Sequence, residues 1–197
     1  MLTKRMKNGT RATIIAGIAM AGVLLAALPA AATIVTSGYD TSNSTGTIGK
    51  SAKPGGNVTR TQAIDRAADW VKAKVPYSES EGWKDSGTGG PYRIDCSGFV
   101  SMAWQLPNSL VTQSLPSVST TIKWADLQPG DALDYTAEHV ILFAGWIDKS
   151  KGTFSYYAEN NPSVKTNKYT DGNQHASYLD GWPTSDYTPL RYKHITG

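Results

Sequence analysis

Cys96 is the only cysteine among the 197 residues, and it constrains how such a chain can be held together. A single cysteine cannot close an internal disulfide, so a hydrophobic core rather than covalent cross-links must stabilise the fold. An unpaired thiol is also open to oxidation outside the cytoplasm, so an exported chain that carries one either buries it or uses it. Cys96 is therefore the first candidate functional residue.

The first 32 residues have the organisation of a secretory signal peptide. Four basic residues precede an apolar run over residues 14–28, and small residues at 30–32 offer a cleavage site. We expect cleavage there, although the uncleaved stretch over residues 12–35 is long enough to anchor the chain in a membrane. The pattern predicts an exported protein.

The basic character of the chain belongs to this leader. The whole chain has a net charge of +3, whereas residues 33–197 contain 15 lysines and arginines against 16 aspartates and glutamates, a net charge of −1. Nucleic-acid binding requires a basic surface, so nucleic acid is excluded as a partner. No cluster of His, Cys and acidic residues has the spacing of zinc ligands, and we expect neither a metal nor another cofactor.

Composition then divides the chain into a linker and one domain. Residues 33–57 are rich in Ser, Thr, Gly, Asn and Lys and predict a flexible linker, and residues 58–197 have the length of one folded domain. Thr59 and Gln62 form a capping box that begins a first helix, which Pro76 ends. The apolar stripe that predicts its core-facing side consists of Ile64, Ala67, Ala68, Val71 and Val75.

Cys96 heads a second helical pattern. Residues 77–92, rich in Gly, Ser and acidic residues, predict a surface loop, and the apolar spacing of residues 96–106 predicts the helix that follows. The first turn of a helix has free N–H groups and the positive end of the dipole, which favour a reactive thiolate. Cys96 is thus a candidate nucleophile, and the alternative is a small buried apolar residue.

The remaining pattern is mainly that of strands. Pro129 and Gly130 occupy the central positions of a type II turn. Strands are predicted over residues 132–135, 139–146 and 153–159 in antiparallel hairpins, with a closing strand within residues 187–195. Helices followed by strands predict an α+β fold.

A cysteine nucleophile needs a base, and the chain has three histidines. His175 and His194 lie in ordinary surface settings, whereas His139 opens an apolar strand that could aim its ring. His139 is therefore the preferred base, and the alternative is a structural histidine at a strand end.

The base in turn needs an orienting group on a neighbouring strand. Glu159 is the preferred candidate, with Asn160 and Asn161 directly beyond it. Because strand side chains alternate, Glu159 and Asn161 share a face with Tyr157 and Asn160 points the other way. The alternative is that this stretch is only a polar turn, since Asn and Pro are strong turn formers.

Four motifs, in order and spacing, resemble the NlpC/P60 family of papain-like cell-wall hydrolases. They are Val75-Pro76-Tyr77, Asp95-Cys96-Ser97-Gly98-Phe99-Val100, Leu127-Gln128-Pro129-Gly130-Asp131, and His139-Val140 with the apolar strand that follows. The resemblance implies a papain-like α+β fold with N-terminal helices packed on an antiparallel β-sheet. It also implies a cysteine hydrolase that cuts amide bonds in bacterial peptidoglycan, with Cys96 as nucleophile and His139 as base.

The resemblance further implies substrate-binding roles for Tyr77, Asp95 and Ser97 beside the nucleophile. The alternatives are that Tyr77 is only a loop aromatic and that Asp95 is the N-cap of the cysteine helix. The third catalytic residue of the family is usually His, Asn or Gln, and this chain departs by offering Glu159. The related CHAP amidases share the order Cys, His, Glu with a nearby Asn, which Asn160 and Asn161 match.

The expected activity is that of a monomeric peptide-stem endopeptidase, secreted or associated with the cell wall, acting on peptidoglycan or its stem peptides. A CHAP-like N-acetylmuramoyl-L-alanine amidase is the nearest alternative. The other hypotheses are an inactive cell-wall binding module of the same fold, an acyltransferase, and a structural protein whose Cys96 pairs between chains.

Overall fold

The computed structural model describes residues 53–85 and 90–197. The predicted signal peptide at residues 1–32 and most of the predicted linker at residues 33–57 lie outside the described residues. In the part of the chain that is described, the helices are not long and apolar enough to cross a membrane.

Short helices and many strands make up the domain. The α-helices of the described ranges are α1 (Arg60–Ala73), α2 (Cys96–Ala103) and α3 (Leu115–Val118). The strands are β1 (Val58–Thr59), β2 (Ser78–Lys84), β3 (Pro91–Ile94), β4 (Ser119–Thr121), β5 (Ala132–Tyr135), β6 (His139–Asp148), β7 (Thr153–Ala158), β8 (Asn167–Asn173), β9 (Tyr178–Leu179), β10 (Trp182–Pro183), β11 (Thr188–Tyr192) and β12 (Ile195–Thr196).

One six-stranded sheet organises these elements. Its strand order is β4-β11-β5-β6-β7-β8, and every neighbouring pair is antiparallel. Smaller two-stranded pairs join β1 to β12, β2 to β3 and β9 to β10. The predicted α+β fold with an antiparallel sheet is confirmed.

The two faces of the sheet bury different residues, because successive side chains of a strand point to opposite sides. On the helix face, Val140 and Leu142 of β6 belong to one core cluster with residues of α1 and α2. On the outer face, Ile141 and Phe143 belong to a second cluster that includes Leu179 of β9. The β9–β10 hairpin therefore packs on the side of the sheet away from the helices.

Local sequence signals account for the ends of α1. The Thr59 hydroxyl accepts a hydrogen bond from the Gln62 N–H at 3.1 Å, and the Gln62 side chain accepts one from the Thr59 N–H at 2.9 Å. The helix ends at Ala73, before the predicted end at Pro76, because the C-cap residue Lys74 has a left-handed φ of 53°. The predicted capping box is confirmed.

The predicted turn at Pro129-Gly130 is also present and has a structural role. Gly130 has a φ of 88°, as the third position of a type II turn requires, and the Asp131 N–H donates to the Gln128 carbonyl at 3.0 Å. The buried Asp131 carboxylate pairs with Arg60 at 3.0 Å and with Arg191 at 2.7 Å. These pairs tie the turn to α1 and β11.

In the described part of residues 77–92 the predicted surface loop is wrong, because β2 and the start of β3 form an antiparallel pair there. Trp83 and Tyr92 lie opposite each other and both are buried, so two aromatic residues hold a ribbon whose other positions are mostly polar. The second helix is also shorter than predicted and ends at Ala103. Gln105 follows with a left-handed φ of 46°.

Gly98 lets the first turn of α2 lie directly on the backbone of β3. A Cβ atom at this position would stand 2.0 Å from the Arg93 carbonyl oxygen, far inside van der Waals contact. The absence of a side chain therefore fixes how closely the cysteine helix approaches the strand before it.

We expect Gly98→Ala to destabilise the domain by about 1–3 kcal/mol or more, because the new methyl group must displace backbone atoms. Thermal unfolding measures this, with roughly 2–4 °C of midpoint lost per kcal/mol in a domain of this size. Gly90→Ala is the matched control, since nothing lies within 4 Å of its Cβ position. Equal midpoints for the two variants would contradict the packing argument.

Candidate active site

Cys96 is the first residue of α2, directly after the N-cap Asp95. The Asp95 carboxylate accepts a hydrogen bond from the Gly98 N–H at 2.7 Å, which satisfies one of the free donors of the first turn. The cysteine is buried, with 9% of its surface exposed, and it still lines a cleft. The sequence therefore places the thiol at a helix N-terminus, as predicted.

The environment of the thiol favours its protonated form. Burial and the neighbouring Asp95 carboxylate raise the pKa of Cys96 to about 12, while the N–H groups of Val140 and Ser97 and the Arg93 guanidinium lower it. Burial outweighs the helix N-terminus, in contrast to the thiolate expected from the sequence. At neutral pH the thiol keeps its proton, so its use as a nucleophile requires a base.

The start of β6, which carries His139, lies beside that thiol. The Cys96 sulfur accepts a hydrogen bond from the backbone N–H of Val140, the residue that follows His139 in β6. The N-terminus of α2 and the start of β6 therefore meet, which brings Cys96 to the strand end that carries His139.

Asp180, which sequence reasoning missed, holds the histidine ring. The His139 Nε2 and Asp180 Oδ2 atoms are 2.9 Å apart. The other oxygen, Oδ1, accepts hydrogen bonds from the Asn160 side-chain amide at 2.8 Å and from the Tyr156 hydroxyl at 3.3 Å. Two donors thus position the carboxylate that contacts the ring.

This contact determines which ring nitrogen can act as a base. When Nε2 carries its proton and donates to the carboxylate, Nδ1 has a free lone pair. An acidic partner also stabilises the charged imidazolium that forms when Nδ1 takes up a proton. His139 and Asp180 together therefore have the arrangement of a general base and its orienting group.

Glu159 does not contact the ring, in contrast to the expectation from the sequence. Extending the β6–β7 register, in which Leu142 lies opposite Tyr157, places Glu159 opposite Val140 and Asn160 opposite His139. Opposite residues of an antiparallel pair share a face, so Glu159 lies on the helix face and His139 on the outer face. The Glu159 carboxyl is instead hydrogen-bonded to the Thr166 hydroxyl.

The two alternatives to Glu159 have different surroundings. Asn160 donates to Asp180 and, at 3.2 Å, to the Tyr169 hydroxyl, so it reaches His139 through the carboxylate. Asn161 accepts a hydrogen bond from the Ser163 N–H at 2.9 Å and belongs to a local turn. Of the three candidates, Asn160 is the one placed next to the partner of the histidine.

Two clefts lie at the site, one lined by Cys96 and the other by His139. The first, the Cys96 cleft, has a volume of about 510 Å³ and is lined by Tyr77, Glu79, Ser80, Glu81, Arg93, Asp95, Cys96, Ser97, Val111, Thr112, Gln113, Ala137 and Glu138. The second, the His139 cleft, has a volume of about 450 Å³ and is lined by His139, Asn160, Asn161, Asp180, Gly181 and Trp182. Within residues 53–85 and 90–197, no three His, Cys, Asp or Glu side chains group in a way that could hold a metal ion.

The predicted substrate-binding residues Tyr77, Asp95 and Ser97 all line the Cys96 cleft. The Tyr77 hydroxyl donates to Glu79 at 3.0 Å. Arg93 is hydrogen-bonded to the Asp95 carboxylate and, at 2.7 Å, to the Ser97 hydroxyl. Asp95 is therefore both the N-cap of α2 and part of the cleft wall.

A sequence signal for Asp180 exists. Asp180 and Gly181 have φ values of 48° and 88° and form the tip of the β9–β10 hairpin. An Asp-Gly pair flanked by apolar residues is a strong hairpin signal, because both positions require a positive φ. The signal predicts the hairpin, but nothing local in it predicts that the hairpin reaches a histidine 41 residues away.

Comparisons with known proteins were made by sequence and by structure. No family model matches the chain, and no curated protein matches it. Among solved structures, it is similar to a histidine mutant of the Resuscitation Promoting Factor Interacting protein RipA, with 20% identity and a TM-score of 0.44. The match covers 68% of this chain and 61% of that chain. At this similarity, the function of the chain is inferred from its own residues.

The geometry predicts which residues control the reactivity of the thiol. We expect His139→Ala and Asp180→Asn to slow the alkylation of Cys96 by iodoacetamide at pH 7 by at least about tenfold, because general-base assistance contributes about 10²- to 10⁴-fold when it is complete. Mass spectrometry of the modified protein over time gives the rates.

Glu159→Gln and His175→Ala are the matched controls for this measurement and should react like the unmodified chain. Slowing by Glu159→Gln with no effect of Asp180→Asn would mean that Glu159, and not Asp180, acts on the histidine.

Proposed function

We propose that the protein is an exported cysteine hydrolase that cleaves amide bonds in the stem peptides of bacterial peptidoglycan. The observation that carries this proposal is the meeting of Cys96, at the N-terminus of α2, with the start of β6, where Asp180 holds His139. The motifs that resemble the NlpC/P60 family supply the substrate class.

In the first half of the proposed reaction, the Cys96 thiol gives its proton to Nδ1 of His139, and the sulfur attacks the carbonyl carbon of an amide. The carbonyl oxygen becomes an oxyanion, which the N–H of Cys96 is placed to stabilise because the first residues of a helix have no intrahelical acceptor. The imidazolium then protonates the departing amine, and a thioester to Cys96 remains.

In the second half, His139 takes a proton from water, which attacks the thioester carbonyl. The acid product leaves, and the proton returns to the Cys96 sulfur. Asp180 stabilises the imidazolium in both halves because its carboxylate stays within 2.9 Å of Nε2. The raised pKa of Cys96 makes this base essential, since a thiol that keeps its proton is a poor nucleophile.

The Cys96 cleft supports a peptide as the substrate. Its volume of about 510 Å³ lies in the range of small-molecule and peptide sites, and its wall carries the polar groups of Tyr77, Asp95 and Ser97. The alternative bond, between the sugar lactyl group and L-alanine, requires the same chemistry at Cys96 and differs only in the group that enters the cleft.

We expect purified peptidoglycan to release soluble fragments when treated with residues 33–197 of the chain and to release none with Cys96→Ala. His139→Ala should lower the rate by about 10²-fold or more, because general-base catalysis is lost. Mass analysis of the fragments identifies the bond: new amino and carboxyl ends within the stem indicate an endopeptidase, and intact stems freed from sugar indicate an amidase.

His175→Ala is the matched control for His139→Ala, because His175 is exposed and lies outside both clefts. Identical fragments from the unmodified chain and from Cys96→Ala would refute the enzymatic proposal. Added amine nucleophiles that appear in the product would instead indicate acyl transfer.

A further inference from the structure

Glu159 is a fully buried carboxyl group that the proposed reaction does not use. None of its surface is exposed, and its Oε1 atom has no hydrogen-bond partner. Its Oε2 atom is hydrogen-bonded to the hydroxyl of Thr166. A charged carboxylate with one oxygen unpartnered in the protein interior is strongly disfavoured, so this environment suits the neutral acid.

The hydrogen bonds of Thr166 point to the same protonation state. Its hydroxyl oxygen contacts both Glu159 Oε2 and, at 3.1 Å, the carbonyl oxygen of Val75. A hydroxyl has one proton and can donate to only one of two acceptors. Both contacts are hydrogen bonds at once only if Glu159 is protonated and donates to Thr166, which in turn donates to Val75.

This chain of hydrogen bonds ends at Val75, two residues before a residue that lines the Cys96 cleft. The Val75 carbonyl also accepts from the Thr166 N–H at 3.0 Å, so the two residues are joined twice. Pro76 follows with a restricted backbone, and Tyr77 is the next residue and lines the cleft. The position of Tyr77 therefore depends on the contact between Thr166 and Val75.

The charges around Glu159 also oppose its ionisation. Burial and the Asp95 carboxylate at the start of α2 raise the pKa of Glu159 to about 8, against a smaller lowering by the Thr166 hydroxyl. Tyr169 of β8 also interacts with it. Neither Asp95 nor Tyr169 supplies a positive charge.

We propose that Glu159 is a positioning residue: as a neutral acid it donates to Thr166 and thereby fixes the Val75-Pro76-Tyr77 segment, whose Tyr77 lines the Cys96 cleft. Ionisation of Glu159 turns the Thr166 hydroxyl toward the carboxylate, which removes one of the two hydrogen bonds to Val75. The segment that carries Tyr77 then loosens, and the cleft binds its substrate less tightly at alkaline pH.

The protonation of Glu159 can be tested without any enzymatic assay, by thermal unfolding of the unmodified chain and Glu159→Gln from pH 4 to pH 9. The unfolded chain ionises this residue near the ordinary value of 4.5, whereas the folded chain keeps the proton up to about 8. Stability from the buried acid is thus fully present below 4.5 and is lost as the pH rises toward 8.

Glutamine keeps a neutral donor at every pH, so the midpoint of Glu159→Gln should exceed that of the unmodified chain by an amount that grows between these pH values and then stays constant. A difference that is independent of pH would overturn the proposal. Asp186→Asn, an exposed carboxyl, is the control and should show no such growth.

The effect on the cleft rests on the proposed function and is tested by the pH dependence of stem-peptide cleavage. Thr166→Val removes the hydroxyl at nearly constant volume and should raise KM roughly 3- to 10-fold with little change in kcat, as expected for one lost neutral hydrogen bond. Thr166→Ser keeps the hydroxyl and should behave like the unmodified chain.

In the same assay, Glu159→Gln should match the unmodified chain at pH 7 and have a lower KM than it does at pH 9. Equal KM values at pH 9, or an unchanged KM in Thr166→Val, would overturn the link to Tyr77.

If no variant cleaves peptidoglycan, the proposed function fails, and the unfolding measurement still decides whether Glu159 is neutral. Alkylation of Cys96 by a bulky peptide-like haloacetamide then replaces cleavage as the test of the cleft wall. At pH 9 the reagent's apparent affinity should be weaker for the unmodified chain than for Glu159→Gln, and equal affinities would overturn the link.

Discussion

The alternation of side chains along β6 is the constraint on which the site depends. His139 and Val140 are neighbours in sequence, yet their side chains lie on opposite faces of the sheet. The Cys96 thiol lies on the helix face, where its sulfur accepts a hydrogen bond from the Val140 N–H. Asp180, which contacts the His139 ring, lies on the outer face. This arrangement therefore requires that one element packs on each face of the sheet at the same strand end.

Two features of the fold satisfy this requirement. On the helix face, Gly98 allows the first turn of α2 to lie against the Arg93 carbonyl, which brings Cys96 to the strand end. On the outer face, Leu179 packs into the core cluster and fixes the hairpin that carries Asp180. Packing thus sets the positions of these residues, and burial raises the pKa of the Cys96 thiol. Under the proposed function, the thiol then needs the His139–Asp180 pair to remove its proton.

The same alternation gives Glu159 and Asn160 separate roles. Asn160, opposite His139, holds the Asp180 carboxylate, whereas Glu159, opposite Val140, lies among the helix-face residues and contacts Thr166. The two neighbours therefore have contacts on different faces of the sheet: Asn160 with the carboxylate that holds His139, and Glu159 with the Thr166 hydroxyl. The sequence pattern predicted that Glu159 and Asn160 point to opposite faces, but the preferred orienting group, Glu159, lies on the face away from the histidine ring.

Local chemistry in the sequence was sufficient for several elements. The Thr59 capping box, the Gly130 turn and the strands that begin at Ala132, His139 and Thr153 depend on contacts between residues close in the chain, and these predictions are confirmed. The β2–β3 ribbon was missed because its stability comes from the buried pair of Trp83 and Tyr92, whose burial a polar stretch does not reveal.

The sequence by itself determined the α+β order of elements, the helix that Cys96 begins and the strand that His139 opens, because helix caps, turns and periodicity act over a few residues. Only the tertiary structure decided that Asp180 rather than Glu159 contacts the ring, and that the thiol is buried enough to keep its proton. Those outcomes depend on which face a hairpin covers and on how much water a cleft excludes. Both properties arise from packing between elements distant in the chain.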